Sequence, residues 1–151
     1  ATLAGQALGA GLPARATRIG HIAALQTACL CSIAGLAIFF GADQLYGLMT
    51  ADDEVRRVGS HTIRYLALIE PILGAGIVYV GTLRGVGDTR TTMLISLTSG
   101  CLIRIPVACL GAIVLNGGLL GAWIGMFADN FVRFGLALAR YLNGGWRGIR
   151  V

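Results

Sequence analysis

Stretches of about twenty residues with almost no charge recur along this chain, and that is the length a helix needs to cross the hydrocarbon core of a bilayer. The first covers about 19–40, IGHIAALQTACLCSIAGLAIFF, with His21 near its start. The second lies between Arg64 and Arg84, about 65–83, and contains Glu70. From Arg90 to Asp129 the one charge is Arg104, and the polar turn Asn116-Gly117-Gly118 divides this run into about 91–115 and 119–142. These runs are too long for strands and show no period-two alternation, so the pattern predicts an all-α integral membrane protein with four transmembrane helices.

The polar connection between the first two runs has its own pattern. Thr50-Ala51-Asp52-Asp53, followed by Glu54 and Val55, resembles a helix N-cap with acids in the first turn, which satisfies free N–H groups and suits the helix dipole. A short surface helix at about 52–60 is predicted, serving as a solvated connector.

Composition agrees with the membrane class: 56% of the 151 residues are hydrophobic and 13% charged, against about 25% charged in soluble domains. All twelve basic residues are arginine. Arg15, Arg18, Arg84, Arg90, Arg140, Arg147 and Arg150 fall on one side of the predicted spans, while Arg56, Arg57 and Arg64 share the other with Asp43, Asp52, Asp53 and Glu54. Basic residues favour the cytoplasmic side, so both termini are expected there, in a plasma (inner) membrane. No basic stripe with interleaved aromatics points to nucleic acid. Cys29, Cys31, Cys101 and Cys109 lie in apolar runs without ligand spacing and are expected to be small buried apolar side chains, with no metal site. The chain lacks an initiator Met, and ATLAGQALGA lacks the basic region of a signal peptide; a segment of a longer polypeptide is expected.

Glu70, Arg104, Asp129 and Arg133 are the ionisable residues placed inside the apolar runs. Each costs roughly 2.5–3.5 kcal/mol near the bilayer centre unless it faces a partner or a cavity. Glu70 precedes Arg84 by fourteen residues and Arg104 follows Arg90 by fourteen, which places both about 21 Å from the loop between them. The expectation is a Glu70–Arg104 pair, direct or through water; the competing reading has Glu70 titrating during transport. Asp129 and Arg133 stand four apart, on one helix face with the acid N-terminal.

Pro71 cannot donate to the carbonyl of Ala67, so a kink and a free oxygen for water, a cation or a neighbouring helix are expected one turn from Glu70. Pro106 repeats this two residues after Arg104. Gly74 and Gly76, the pair Gly5 and Gly9, and the pair Gly121 and Gly125 have spacings that suit close helix contact. Gly85-Val86-Gly87-Asp88 has no preceding strand and no GK[ST], so a tight inter-helix turn is expected over a phosphate loop.

Several stretches together resemble the C-terminal part of a multidrug and toxic compound extrusion (MATE) transporter, of the multidrug/oligosaccharidyl-lipid/polysaccharide flippase superfamily. They are Gly5-Gln-Ala-Leu-Gly-Ala-Gly11 with Pro13, the loop Thr82-Leu83-Arg84-Gly85-Val86-Gly87-Asp88-Thr89-Arg90, Gly118-Leu-Leu-Gly-Ala-Trp123, and the closing Asn143-Gly-Gly-Trp-Arg147. The resemblance implies residues 1–151 as most of the second lobe of a twelve-helix transporter, from the end of helix eight through helix twelve. The first lobe would be its partner within the same transporter.

It also implies transport and not catalysis: efflux of amphiphilic or cationic organic compounds in exchange for sodium ions or protons, with the bilayer and small organic substrates as partners and no cofactor. Glu70 is the candidate coupling residue, and Arg104, Asp129 and Arg133 its candidate charge partners. The acid that some members carry on helix ten falls at Leu73 here, one turn from Glu70. A lipid-linked saccharide flippase and a complete four-helix structural membrane protein are the alternative readings.

Overall fold

The computed structural model describes residues 1–148, and all their regular structure is helical; Arg150 lies outside the described residues. A short helix α1 (Thr2–Gly9) leads into α2 (Pro13–Met49), α3 (Asp53–Gly85), α4 (Thr89–Val114) and α5 (Gly118–Asn143). Three of these, α2, α3 and α4, are long and apolar enough to cross a membrane. The chain is therefore a multi-pass membrane protein. α5 has a spanning length of 26 residues, but Asp129, Asn130 and Arg133 dilute its apolar character.

The predicted surface helix forms, but as part of a longer one. α2 has 37 residues and α3 has 33, about 55 and 50 Å of rise, against a hydrocarbon core of about 30 Å. The surface helix expected at 52–60 is the first part of α3 itself. Asp52 is its N-cap, with the carboxylate accepting from the N–H groups of Glu54 and Val55, and no proline interrupts the chain before Pro71. Beyond the apolar stretch the two helices stay paired: Tyr46 packs over Gly59, and Arg64 binds Asp43 at 2.7 Å. The charges that read as a loop are the solvated faces of a helical hairpin.

Glycines set the contacts within the bundle. Gly5 and Gly85 bring α1 and the end of α3 into backbone contact, and Gly121 lies directly on Gly111, with Gly125 on Ala108. Gly9 has open space around its Cα, so only one member of that pair makes a helix contact. α3 packs on α2 and on α5, while α4 packs mainly on α5 and touches α3 only through its first turns. Within α4, π-helical stretches Thr98–Arg104 and Leu110–Val114 flank an α-helical turn, Ile105–Cys109, that holds Pro106. A missing N–H and wide turns together mark a helix relieved of its regular ladder.

The core sits at the end of the bundle where α1, the α3–α4 loop and the end of α5 meet; it includes Ala7, Leu8, Leu83, Val86, Tyr141 and Trp146. The cysteines correct the expectation of burial: Cys29, Cys101 and Cys109 are exposed and Cys31 is half-buried, all as free thiols. In a membrane chain an apolar side chain need not turn inward, because the surrounding lipid is as apolar as a core.

Candidate functional site

The centre of the α4–α5 contact holds an ionic triad. Asp129 on α5 is 2% exposed and accepts from Arg133 Nη2 at 3.2 and 3.4 Å, the i,i+4 pair expected from spacing. Arg104 on α4 comes to the same carboxylate from the other side, at 4.0 Å. Gly121 on Gly111, Gly125 on Ala108 and Asp129 by Arg104 form one antiparallel register, so the glycine contacts seat the triad. One carboxylate faces two guanidiniums, and Arg133 Nε is buried with no acceptor among the described residues.

A direct Glu70–Arg104 pair does not form. Of the four ion pairs among the described residues, none includes Glu70. The depth count itself agrees with the packing. Ile69 and Phe127 line one groove and Gly76 lies under Phe134, a register that sets Glu70 level with Ala128 and Asp129. What separates Glu70 from Arg104 is α5, which packs between α3 and the outer part of α4. Residue counting gives height along a helix and says nothing of which helix intervenes.

Of the partners expected for the carbonyl freed by Pro71, the structure supplies a neighbouring helix. α3 stays helical from Asp53 to Gly85 through Pro71. The carbonyl of Ala67, released by the missing N–H, points at Gly35 of α2; a β-carbon on Gly35 would lie 2.5 Å from that oxygen. The free oxygen is thus covered by a neighbouring backbone, in the close Cα–H···O geometry that glycine permits.

The loop after α3 is a helix terminus of defined type. Gly87 has φ +86°, Asp88 N–H donates to Leu83 O and Gly87 N–H to Arg84 O, the Schellman pattern with glycine in the left-handed position. α1 ends the same way, with Gly11 at φ +75° and bonds from Leu12 to Ala7 and from Gly11 to Leu8. The tight turn expected in place of a phosphate loop is therefore what forms. It delivers Asp88, 5% exposed, to Arg140 Nε of α5 at 2.8 Å. Burial pushes the Asp88 carboxyl up, and the donors of Thr91 and Arg140, with the Arg140 charge, outweigh it and hold the group below its ordinary value.

Beside this pair, Tyr141 stacks on Trp146 with ring centroids 5.1 Å apart, and Trp146 Nε1 donates to Tyr141 O. The Tyr141 hydroxyl reaches Ala16 O and Thr17 O, each at 3.1 Å, in a notch left by the missing side chain of Gly20. His21 Nδ1 lies 3.0 Å from the Tyr79 hydroxyl, which ties α2 to α3 one turn further on.

The MatE family model matches residues 1–110 of the chain, well over half of it. The chain belongs to the MatE family. It is 34% identical over 112 residues to a probable multidrug resistance protein NorM of Thermotoga maritima, which covers 74% of this chain and 24% of that protein. A NorM of Bradyrhizobium diazoefficiens is 30% identical over 141 residues, 91% of this chain and 30% of the relative. The uncharacterized transporter YisQ of Bacillus subtilis is 31% identical over 111 residues, 74% and 24% of the two chains. The chain thus spans about a quarter to a third of the length of these relatives. No solved structure matches it.

In this MatE chain three of the four quoted motifs meet in space, Gly118–Trp123 lying at the other end of α5: Gly5 of the first touches Gly85 of the second, and Asp88 of the second binds Arg140, next to the Tyr141–Trp146 stack of the closing tail. Sequence reasoning missed Arg140, Tyr141, Gly20, His21 and Tyr79 as a connected group. Their only local signals were polarity within apolar runs and, at Gly20, a missing side chain, because their partners lie up to 125 residues away.

Proposed function

We propose that this chain is the second-lobe portion of a secondary active antiporter that exports amphiphilic or cationic organic compounds. The observation that carries the reading is the charge layer: Glu70 stands level with Asp129, which faces Arg104 and Arg133, within long helices of a MatE-family chain. Intramembrane ionisable groups are costly and mark ion or substrate paths. The names of the NorM relatives, probable multidrug resistance proteins, support the efflux part.

In this reading α5 is a fourth span, its ions neutralised within the bundle, and α2 to α5 stand as helices nine to twelve with both ends cytoplasmic. Glu70, without an ion-pair partner among the described residues, is the group whose charge changes as sodium or a proton is exchanged for substrate. Glu70→Gln in the full-length protein tests this, with drug efflux followed under separate sodium and proton gradients. Loss of gradient-driven efflux at normal expression is expected; undiminished coupled efflux removes Glu70 from the mechanism.

A further inference from the structure

We propose that Arg104 is the residue that receives the anionic group of a substrate, a carboxylate above all; this rests on the transporter reading above. The charge of Asp129 is already committed. Its two oxygens accept from Arg133 at 3.2 and 3.4 Å, whereas Arg104 stands off at 4.0 Å. Two guanidiniums over one carboxylate leave a surplus positive charge, and it resides on Arg104, whose side chain is 54% exposed against 33% for Arg133.

That surplus lies well inside the apolar span. Arg104 is ten residues from the end of α4 at Val114, about 15 Å along the helix axis. A guanidinium at such a depth faces a partner or a water-filled cavity. Its planar fork of donors matches a carboxylate in two parallel hydrogen bonds, which a point charge does not do. Arg104 also closes the π-helical stretch Thr98–Arg104, a geometry that recurs at functional sites in helices. The long contact and the wide turn suit a group that is engaged and released, where a permanent protein acid would draw the guanidinium into a close pair.

A matched pair of compounds tests this: an aromatic amine carrying a carboxylate, and its methyl ester. In the full-length protein Arg104→Gln should lower efflux of the carboxylate compound by about tenfold or more and leave the ester within about twofold, with Arg104→Lys intermediate. Equal loss for both compounds overturns the proposal in favour of a permanent acidic partner on another helix, and no loss for either overturns it outright. Fluorescence titration of both compounds onto detergent-purified protein reads the same preference without transport. If the wild type moves neither compound, the transport reading fails, and the binding comparison then decides Arg104: the same selective loss supports it, and its absence overturns it.

Discussion

The Tyr141 hydroxyl occupies the space that a β-carbon on Gly20 would fill. From there it bonds to Ala16 O and Thr17 O, so the end of α5 is held against the start of α2 by one phenol in one glycine notch. The ring cannot swing aside freely, because it is stacked on Trp146 and fully buried. Gly20→Ala should destabilise the full-length protein by about 1–3 kcal/mol, an overpacking cost. Tyr141→Phe in the Gly20→Ala background should restore part of that loss, and a cycle of melting temperatures in detergent checks the coupling.

Glycine replacements elsewhere should sort by what a β-carbon meets. At Gly121 it meets the backbone of Gly111, and at Gly35 the carbonyl of Ala67, neither of which can rotate away. Alanine at either position should cost at least as much as at Gly20, and the double mutant with Tyr141→Phe should show no rescue. Gly81 has nothing within 4 Å, so Gly81→Ala should be neutral or stabilise by roughly 0.5–1 kcal/mol through helix propensity. Thermal unfolding of the three variants side by side is the check.

Asp129→Asn should be the most damaging single change in the triad. It leaves Arg104 and Arg133 without a counter-ion, and removing one partner of a buried pair costs about 3–5 kcal/mol. Arg133→Gln should cost less, since Arg104 remains to face the carboxylate at 4.0 Å. Adding Arg133→Gln to Asp129→Asn should recover stability; an additive double mutant would contradict the shared-carboxylate geometry.

The Asp88–Arg140 pair predicts a pH dependence of definite sign. The folded-state carboxyl lies below its ordinary value, so its contribution to stability is fully present above the ordinary carboxylate pKa and is lost as pH falls through the folded value. Melting temperature should hold steady from neutral pH down to about 5 and drop below about 4. Asp88→Asn should lower it at neutral pH and flatten the acid limb; Arg140→Gln should do the same. An unchanged acid limb in both variants would remove this pair as its source.

Much of this was legible from the chain because it depends on distance along a helix. The Asp129–Arg133 pair needs only a spacing of four, and the common height of Glu70 and Arg104 needs only a residue count. Their separation was not legible, because it depends on α5 packing between α3 and the outer part of α4, and that placement is fixed by backbone contacts such as Gly121 on Gly111. The partner of the carbonyl freed by Pro71 was hidden for the same reason: Gly35 lies on another helix, 32 residues upstream of Ala67. The cap at Asp52 was legible, because it depends on acids within one turn; that the helix it starts runs unbroken into the next span was not, and follows from a proline-free run up to Pro71.

The paired extension of α2 and α3 past the apolar stretch has a mechanical consequence. Tied by Arg64 to Asp43 and by Tyr46 over Gly59, it is a stiff pointer fixed to the two most extensively packed helices of the bundle. Any tilt of those helices in the bilayer is magnified at its tip, so a spin label at Ala51 would turn a rotation of a few degrees into a displacement large enough to measure.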